Sequence, residues 1–436
     1  MMRSMFSGVS GLRTHQTKMD VIAHNISNVN TVGFKGSRVT FSETFSQTVQ
    51  GATRASEITG RGGTNPMQIG LGVNVGSIDK NMSTGAAQRT DRALDLMING
   101  DGFFIVGDAS GTFFTRAGAF EIDAEGFMHM GGMRLQGWQQ NIDELAGTVP
   151  PGVVADIRIG PQMQVSPPST TTQMRVEGNL NPAMATGAEH PSTISFFDTL
   201  GNRWVVDVTF TKESTGDEPG RFSIEFGDYA FLNGVRMETP APPGAVAVSI
   251  ASPADIVFNA SGTLATPAYP GVLNINITET FPGAATVGGV GGLIAIDFSA
   301  ITQFGSRPSN AGFESLNGRS SGTLEGLSVG SDGIITGRYS NGDMRTLGQI
   351  PIARFRNPAG LEAVGRNLFV ASPNSGEFNG NGEVTGNMMG GVLEMSNVDL
   401  SAEFTEMITT QRGFQASSRL ISTSDEMLQE LVNLRR

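Results

Sequence analysis

Helical patterning is confined to the two ends of the chain, and everything between them is patterned for strands. From Asn397 to Arg436 there is no proline and one interior glycine, Gly413. Leu400, Phe404, Met407, Gln411, Phe414, Ser418 and Ile421 fall at alternating steps of four and three. That spacing keeps one stripe of a helix turned toward a partner. The stripe then changes phase, and Leu420, Met427, Leu431 and Leu434 continue it on a neighbouring face. Asp399 or Ser401 is placed to cap the start, Glu403 and Glu406 suit the positive N-terminal end, and Arg435 and Arg436 suit the negative C-terminal end. At ~1.5 Å per residue such a rod is about 50 Å long, more than a compact core requires. At the other end Met2, Met5, Val9, Leu12, Gln16, Met19, Ala23 and Ile26 repeat the same steps without a break. Asn28, Asn30, Thr31 and Gly33 supply the stop.

The middle predicts short strands joined by tight turns. Residues 41–90 are polar and rich in Gly, Thr and Asn, and read as an extended linker region with short strands near Leu71–Ile78. Residues 91–160 read as β, with LDLMI and FFIV (Leu94 to Val106) on either side of an Asn-Gly-Asp-Gly turn and a further turn at Asp123–Gly126. Residues 161–310 change character: prolines cluster at Pro161, Pro167, Pro168 and again at Pro240, Pro242, Pro243, with strands such as TISFFD and RWVVDVTF between. Residues 311–396 return to the earlier style. A chain that leaves one domain, builds another and comes back implies nesting. The expected fold class is mainly β with long terminal α-helices: helices 1–40 and 397–436 form a coiled-coil domain, 91–160 and 311–396 build one β-domain, and 161–310 is an inserted outer all-β domain.

Composition narrows the function classes. The net charge of −12 gives no general affinity for nucleic acid or anionic membrane. With no cysteine there is no disulfide, thiol nucleophile or thiolate metal site. The start of the chain is broken by Gly and Ser and ends at Arg13, so it lacks the continuous apolar region of a cleavable signal. No segment reaches the ~18–20 apolar residues of a membrane span; Val287 to Ile296 is short and interrupted by four glycines. Residues 1–38 carry five basic groups against Asp20, net +4, while residues 399–436 carry six acidic and four basic groups, net −2. The terminal helices are therefore complementary in charge as well as amphipathic. They can pair within one molecule, but each carries more apolar edge than one partner covers, which points to assembly between subunits.

Catalytic patterns fail on spacing or chain order. Two G-x-S-x-G strings occur, Gly318–Gly322 and Gly326–Gly330, in a chain holding 58 glycines. A nucleophile elbow needs its histidine after the serine, and His15, His24, His129 and His190 all come earlier. No H-x-x-x-H or HExxH spacing exists. GGVGGL lacks a βαβ setting, and DAEG and NGNGE are too short for an EF-hand. The expectation is no enzyme, no cofactor and no metal. The methionines along the terminal helices read equally as an adaptable binding face or as core.

Two long motifs point to a family. AHNISNVNTVGFKGSR (Ala23 to Arg38) resembles the N-terminal signature of the bacterial flagellar rod and hook family, and VDLSAEFTEMITTQRGFQASSRLISTSDEMLQELVNL resembles its C-terminal one. LMINGDGFF, FTRAGAF and FFDTLGN (Phe196 to Asn202) are similar to internal motifs, the last to the outer domain of hook-type members. The resemblance implies an exported extracellular subunit of the flagellum that polymerises into a curved tube acting as a universal joint. It implies the type III export apparatus, hook cap, distal rod and hook–filament junction proteins as partners beside the subunit itself, with no nucleic acid and no membrane insertion. The polymer interface would then include Met2, Met5, Val9, Leu12, Met19, Ile26, Leu400, Phe404, Met407, Phe414, Ile421, Met427, Leu431 and Leu434. The earlier stripe of the C-terminal helix would meet the chain's own N-terminal helix and the later one a neighbour. A distal rod protein is the alternative within the family; an extracellular carbohydrate-binding or adhesive module is the alternative outside it, against which stand only two Trp and three Tyr.

Overall fold

The computed structural model describes residues 2–54, 60, 62–139, 154–215, 218–232, 235–237, 248–250, 255–266, 272–277, 293–378 and 388–434. Gly288–Gly292, Asn379–Glu383, Arg435 and Arg436 lie outside them. The chain divides into two compact units, one of residues 1–160, 327–337 and 345–436, the other of residues 161–326 and 338–344.

The first unit contains both helices, α1 (Met2–Ser27) and α2 (Leu400–Asn433). Of the two cap candidates, Asp399 takes the role: its carboxylate accepts from Ser401 N at 2.8 Å and Ala402 N at 3.4 Å. Neither helix is long and apolar enough to cross a membrane. The polar stretch after α1 folds back on itself rather than running on. β1 (Ser37–Glu43) pairs antiparallel with β4 (Val73–Lys80), placing Val39 opposite Ile78. Beyond them β2 (Ser46–Gln50) pairs with β3 (Met67–Gly70), with Gln47 opposite Ile69.

The expected hairpin across Asn99–Gly102 is not formed. β5 (Ala87–Arg89) pairs with Val392–Glu394 and β6 (Leu96–Ile98) with Met388–Gly390, just before α2. β7 (Phe103–Asp108) instead pairs with β8 (Gly111–Thr115) on one side and with Met133–Gln139 on the other. Gly100 and Gly102 take φ of 111° and 133°, and a Cβ on Gly102 would stand 2.2 Å from Ile352, so the chain uses these glycines to switch sheets. Phe103, Ile105, Phe114, Leu361 and Phe369 form the apolar core here, with Phe103–Phe369 and Phe114–Phe355 in edge-to-face contact at 5.7 and 4.8 Å.

A buried ion triad ties three distant parts of this unit together. Glu394 Oε1 accepts from Lys35 Nζ at 2.6 Å and from Gly85 N at 2.9 Å, while Oε2 accepts from Arg116 at 3.3 Å. The side chains of Lys35 and Glu394 are fully buried and that of Arg116 is 2 % exposed. Lys35 also donates to Ser83 O at 2.6 Å, and Arg116 to Gly100 O at 2.6 Å. Burial pushes the Lys35 ammonium below its usual range, and Glu394 opposes that push. Gly33, at φ +69°, makes the close approach possible: a Cβ there would lie 2.6 Å from Ala117 N.

The second unit is a β-sandwich. One sheet runs Val248–Ile250, Val272–Ile277, Leu293–Thr302, Gln173–Asn179, Gly312–Ser315, with Gln173–Asn179 and Leu293–Thr302 parallel. The other is built on Glu189–Phe197, Arg203–Thr215 and Glu218–Leu232. Period-two alternation sends Trp204, Val206, Val208 and Phe210 into a core with Val176, Ile194, Phe222, Ile296 and Phe298. The FFDTLGN turn is organised by buried Asp198, which accepts from Leu200 N, Asn202 N, Asn202 Nδ2 and Trp204 Nε1 at 2.8–3.3 Å.

Replacing Glu394 by Ala leaves two buried cations without their counter-ion. The substitution should lower the stability of the helix-bearing unit by about 3–5 kcal/mol, read as a fall in its urea midpoint. A loss under about 1 kcal/mol, typical of a solvated pair, would show that the triad does not hold the segments together.

Candidate assembly interface

The helices pair antiparallel through their small residues. The covered row of α1 is Gly8, Gly11, His15, Lys18, Ile22 and Asn25. That of α2 is Glu403, Met407, Thr410, Phe414, Ser417, Ile421, Ser424 and Leu428. A Cβ on Gly8 would stand 3.2 Å from Ile421, one on Gly11 3.0 Å from Ser417, and one on Gly413 2.7 Å from the His15 ring. Lys18 pairs with Glu406 at 2.9 Å, and buried Asn25 donates to Glu403 at 2.9 Å and clasps Ser37 through both its N–H and C=O.

The heptad period expected from the sequence is present, but the covered face is shifted. On α1 every position moves back by one residue, from Val9, Leu12, Gln16, Met19, Ala23 and Ile26 to the row beginning at Gly8. On α2 Met407, Phe414 and Ile421 keep their place, while the companion row is Thr410, Ser417 and Ser424 rather than Gln411 and Ser418. Leu400 and Phe404, expected to meet α1, are exposed. Two helices approach most closely where side chains are small, so size rather than hydropathy chose the contact.

The large apolar side chains are consequently left outside. Met2, Phe6, Leu400, Phe404, Ile408, Leu420, Met427, Leu431, Val432 and Leu434 are all exposed, Leu434 at 79 %. Met5, Val9, Leu12, Met19 and Ile26 are half-buried. The β2–β3 ribbon repeats the theme: Phe45, Met67, Ile69 and Leu71 are exposed, and register puts Ile69 on the face opposite Thr48 and Gln68. The ribbon was not singled out by sequence reasoning, although its alternation of apolar and polar residues from Met67 to Leu71 was a readable signal. Contiguous exposed apolar rows of this size mark interaction surfaces.

A cleft of about 620 Å³ opens at the start of α2, between α1, β1, β4 and the turn at Asn357–Ala359. Ile22, Val39, Pro358 and Ala402 are among its apolar lining, and Asp79, Asp399, Glu403 and Glu406 among its acids. Burial raises the Glu403 carboxyl above its usual range, with the Asn25 hydrogen bond opposing. Burial, then Lys18, lowers the pKa of His15, whose ring lies edge-on to Phe41 at 5.5 Å. The other histidines are dispersed: His24 contacts Phe34, His190 stacks on Phe210, and His129 sits in a hairpin with Arg134. Among the described residues no three potential ligands cluster around a metal position.

Comparisons with known proteins agree along the whole length. Family models match at residues 5–35 (flagella basal body rod protein), 97–179 (flagellar hook protein FlgE/F/G D1 domain), 166–318 (flagellar basal body protein FlaE D2 domain) and 389–434 (flagellar basal body rod FlgEFG protein C-terminal). The flagellar hook protein FlgE of Borreliella burgdorferi is 38 % identical, and that of Treponema pallidum 35 %, each over 100 % of both chains. This chain belongs to the flagellar rod and hook protein family. The flagellar basal-body rod protein FlgG of Bacillus subtilis is 32 % identical over 100 % of both chains. A crystal structure of the Helicobacter pylori hook protein FlgE2 aligns to 71 % of this chain and 99 % of its own at 11 % identity and a TM-score of 0.44, too loose a likeness to bear on the fold.

Leucine at Gly8 would push against Ile421 and the Ser417 carbonyl. Gly8→Leu should cost about 1–3 kcal/mol and make α1 more sensitive to protease; unchanged cleavage would remove the small-residue contact as the basis of pairing. The pH dependence has a definite sign. His15 binds its proton less readily folded than unfolded, so its contribution is complete above about pH 6.5 and is lost as pH falls below that value. Glu403, with a raised pKa, acts in the opposite direction at lower pH, where protonation relieves its burial. Helicity should therefore be less resistant to urea at about pH 5.5 than at about pH 7.5, and His15→Gln should abolish the difference. An equal difference in that variant would mean the ring's burial is not its cause.

Proposed function

We infer that the chain is the structural subunit of a bacterial flagellar hook, polymerising into a curved tube that transmits torque from rod to filament as a universal joint. The observation that carries this is the helix pair, which closes through glycine and serine and leaves its leucines, methionines and phenylalanines facing out. A monomer has no use for that arrangement; a polymer does. In this reading Met2, Met5, Val9, Leu12, Met19 and Ile26 on α1, with Leu400, Phe404, Met427, Leu431 and Leu434 on α2, supply contacts between subunits. Met407, Phe414 and Ile421 serve the pair itself and reach neighbours only at its edge.

Hook relatives at 38 and 35 % identity stand above the rod relative at 32 %, which favours hook over distal rod. The matching outer-domain model at 166–318 favours it too. The proposal includes the nested arrangement, with α1 and α2 as the inner layer of the tube and 161–310 as its outermost domain. It includes an extracellular place on the flagellum, reached through the type III export apparatus. Hook cap, distal rod and hook–filament junction proteins are its neighbours by family likeness. The work of such a subunit is mechanical, so no catalytic group is assigned.

Purified chain at high concentration under salting-out conditions should form tubes visible by electron microscopy. Leu431→Asp with Leu434→Asp should keep the circular dichroism of the monomer and form none. Failure of the unaltered chain to polymerise would overturn the reading; tubes from the double variant would remove the end of α2 from the interface.

A further inference from the structure

The chain has four lysines, and three of them have oxygen acceptors. Lys18 pairs with Glu406 at 2.9 Å, Lys35 lies in the buried triad, and Lys212 donates to Pro182 O and, at 2.8 Å, to Met184 O. Lys80, at the end of β4, differs. Its ammonium stands over the buried Phe34 and Phe369 rings at 6.0 and 5.9 Å, and among the described residues no carboxylate or carbonyl takes its protons. The carboxylates that line the cleft beside it are engaged elsewhere: Asp79 with Ser77 Oγ, Asp399 with the first turn of α2, Glu403 with Asn25 and Glu406 with Lys18. A primary ammonium has three donors, and desolvating them without acceptors is costly. Burial accordingly pushes the Lys80 ammonium below its usual range, so the neutral amine is easier to reach there.

We propose that Lys80 is a modification site and that its mature form is an N-methylated ammonium. Each methyl replaces an N–H that has no acceptor by an apolar group that packs on a ring face. The positive charge stays, and with it the attraction to both rings. Acylation would remove that charge and leave an amide with nothing to bond, so methyl is the group the surroundings fit. The cleft of about 620 Å³ that Lys80 lines gives room for the added carbons. The other lysines fit poorly, because each would give up a hydrogen bond or ion pair it now makes. In the transfer the amine lone pair attacks the methyl carbon of a sulfonium donor held by a separate transferase. The N–C bond forms as the C–S bond breaks, the thioether leaves with the C–S electron pair, and the amine proton passes to water. Methylated Lys80 ties the end of β4 more firmly to Phe34, just after α1, and to Phe369 in the apolar core.

The full chain is taken from the cells that produce it and digested, and the peptide holding Lys80 is read by mass spectrometry. Methylation is expected at Lys80 and not at Lys18, Lys35 or Lys212. An unmodified or acylated Lys80, or equal methylation of all four lysines, overturns the proposal. The fit of the site is tested separately on recombinant chain treated with formaldehyde and cyanoborohydride, which dimethylates accessible amines. Treatment should raise the urea midpoint of the helix-bearing unit, and the same treatment of Lys80→Arg should not. An equal rise in that variant, or no rise in the unaltered chain, overturns the ring pair as the reason for the site. Lys80→Gln is the second control, should the arginine variant not fold. Neither arm involves polymerisation, so the hook reading stands or falls apart from this site.

Discussion

The buried contact of Glu394 with Lys35 and Arg116 is the constraint on which the helix-bearing unit depends. The partners lie 359 and 278 positions away along the chain, and all three side chains are withdrawn from water. Such a group of charges contributes little net stability against an apolar alternative, but it is severe toward misplacement, since any one charge without the others is costly. It fixes where the chain leaves α1, where β8 ends and where α2 is about to begin. With those three points set, α1 and α2 have no choice of register. Gly33 and Gly118 serve the same end: a Cβ on Gly118 would lie 1.8 Å from Leu96 O, so the strands around the triad close only on bare backbone.

Because the triad and the clasp of Asn25 set the register, the helices need few apolar residues to find each other. They cross on Gly8, Gly11, Gly413 and Ser417, and their larger side chains are released for other partners. This division explains how a subunit can hold its helices together and still present a continuous apolar surface. Close packing on small residues serves the contact between the two helices.

Much of this was legible in the residues. The heptad step of both helices, the strand alternation of Trp204–Phe210 and the turn at Asp198 are local properties, written within a few positions of themselves. The face of each helix was not legible. Hydropathy favours Val9 and Leu12, yet the tertiary contact took Gly8 and Gly11, because distance of approach is decided by the bulk on both helices at once. The pairing of β6 with Met388–Gly390 was hidden for a similar reason: Asn99–Gly102 has the composition of a hairpin turn, and only the presence of Ile352 against Gly102 makes it a crossing between sheets. Lys35, one of four lysines and set between Gly33 and Gly36, was the one visible hint of the triad.

The sequence by itself determined that this chain has two amphipathic helices at its ends, strands between, no thiol chemistry and a signature shared with flagellar axial proteins. Each of these is a matter of composition or short spacing, which a single chain carries in full. Which helix face turns inward, which charges are buried together and which apolar rows remain for a neighbour were decided only in the tertiary structure. Those outcomes depend on the fit between segments hundreds of residues apart, and fit is a property of pairs of surfaces rather than of either one alone.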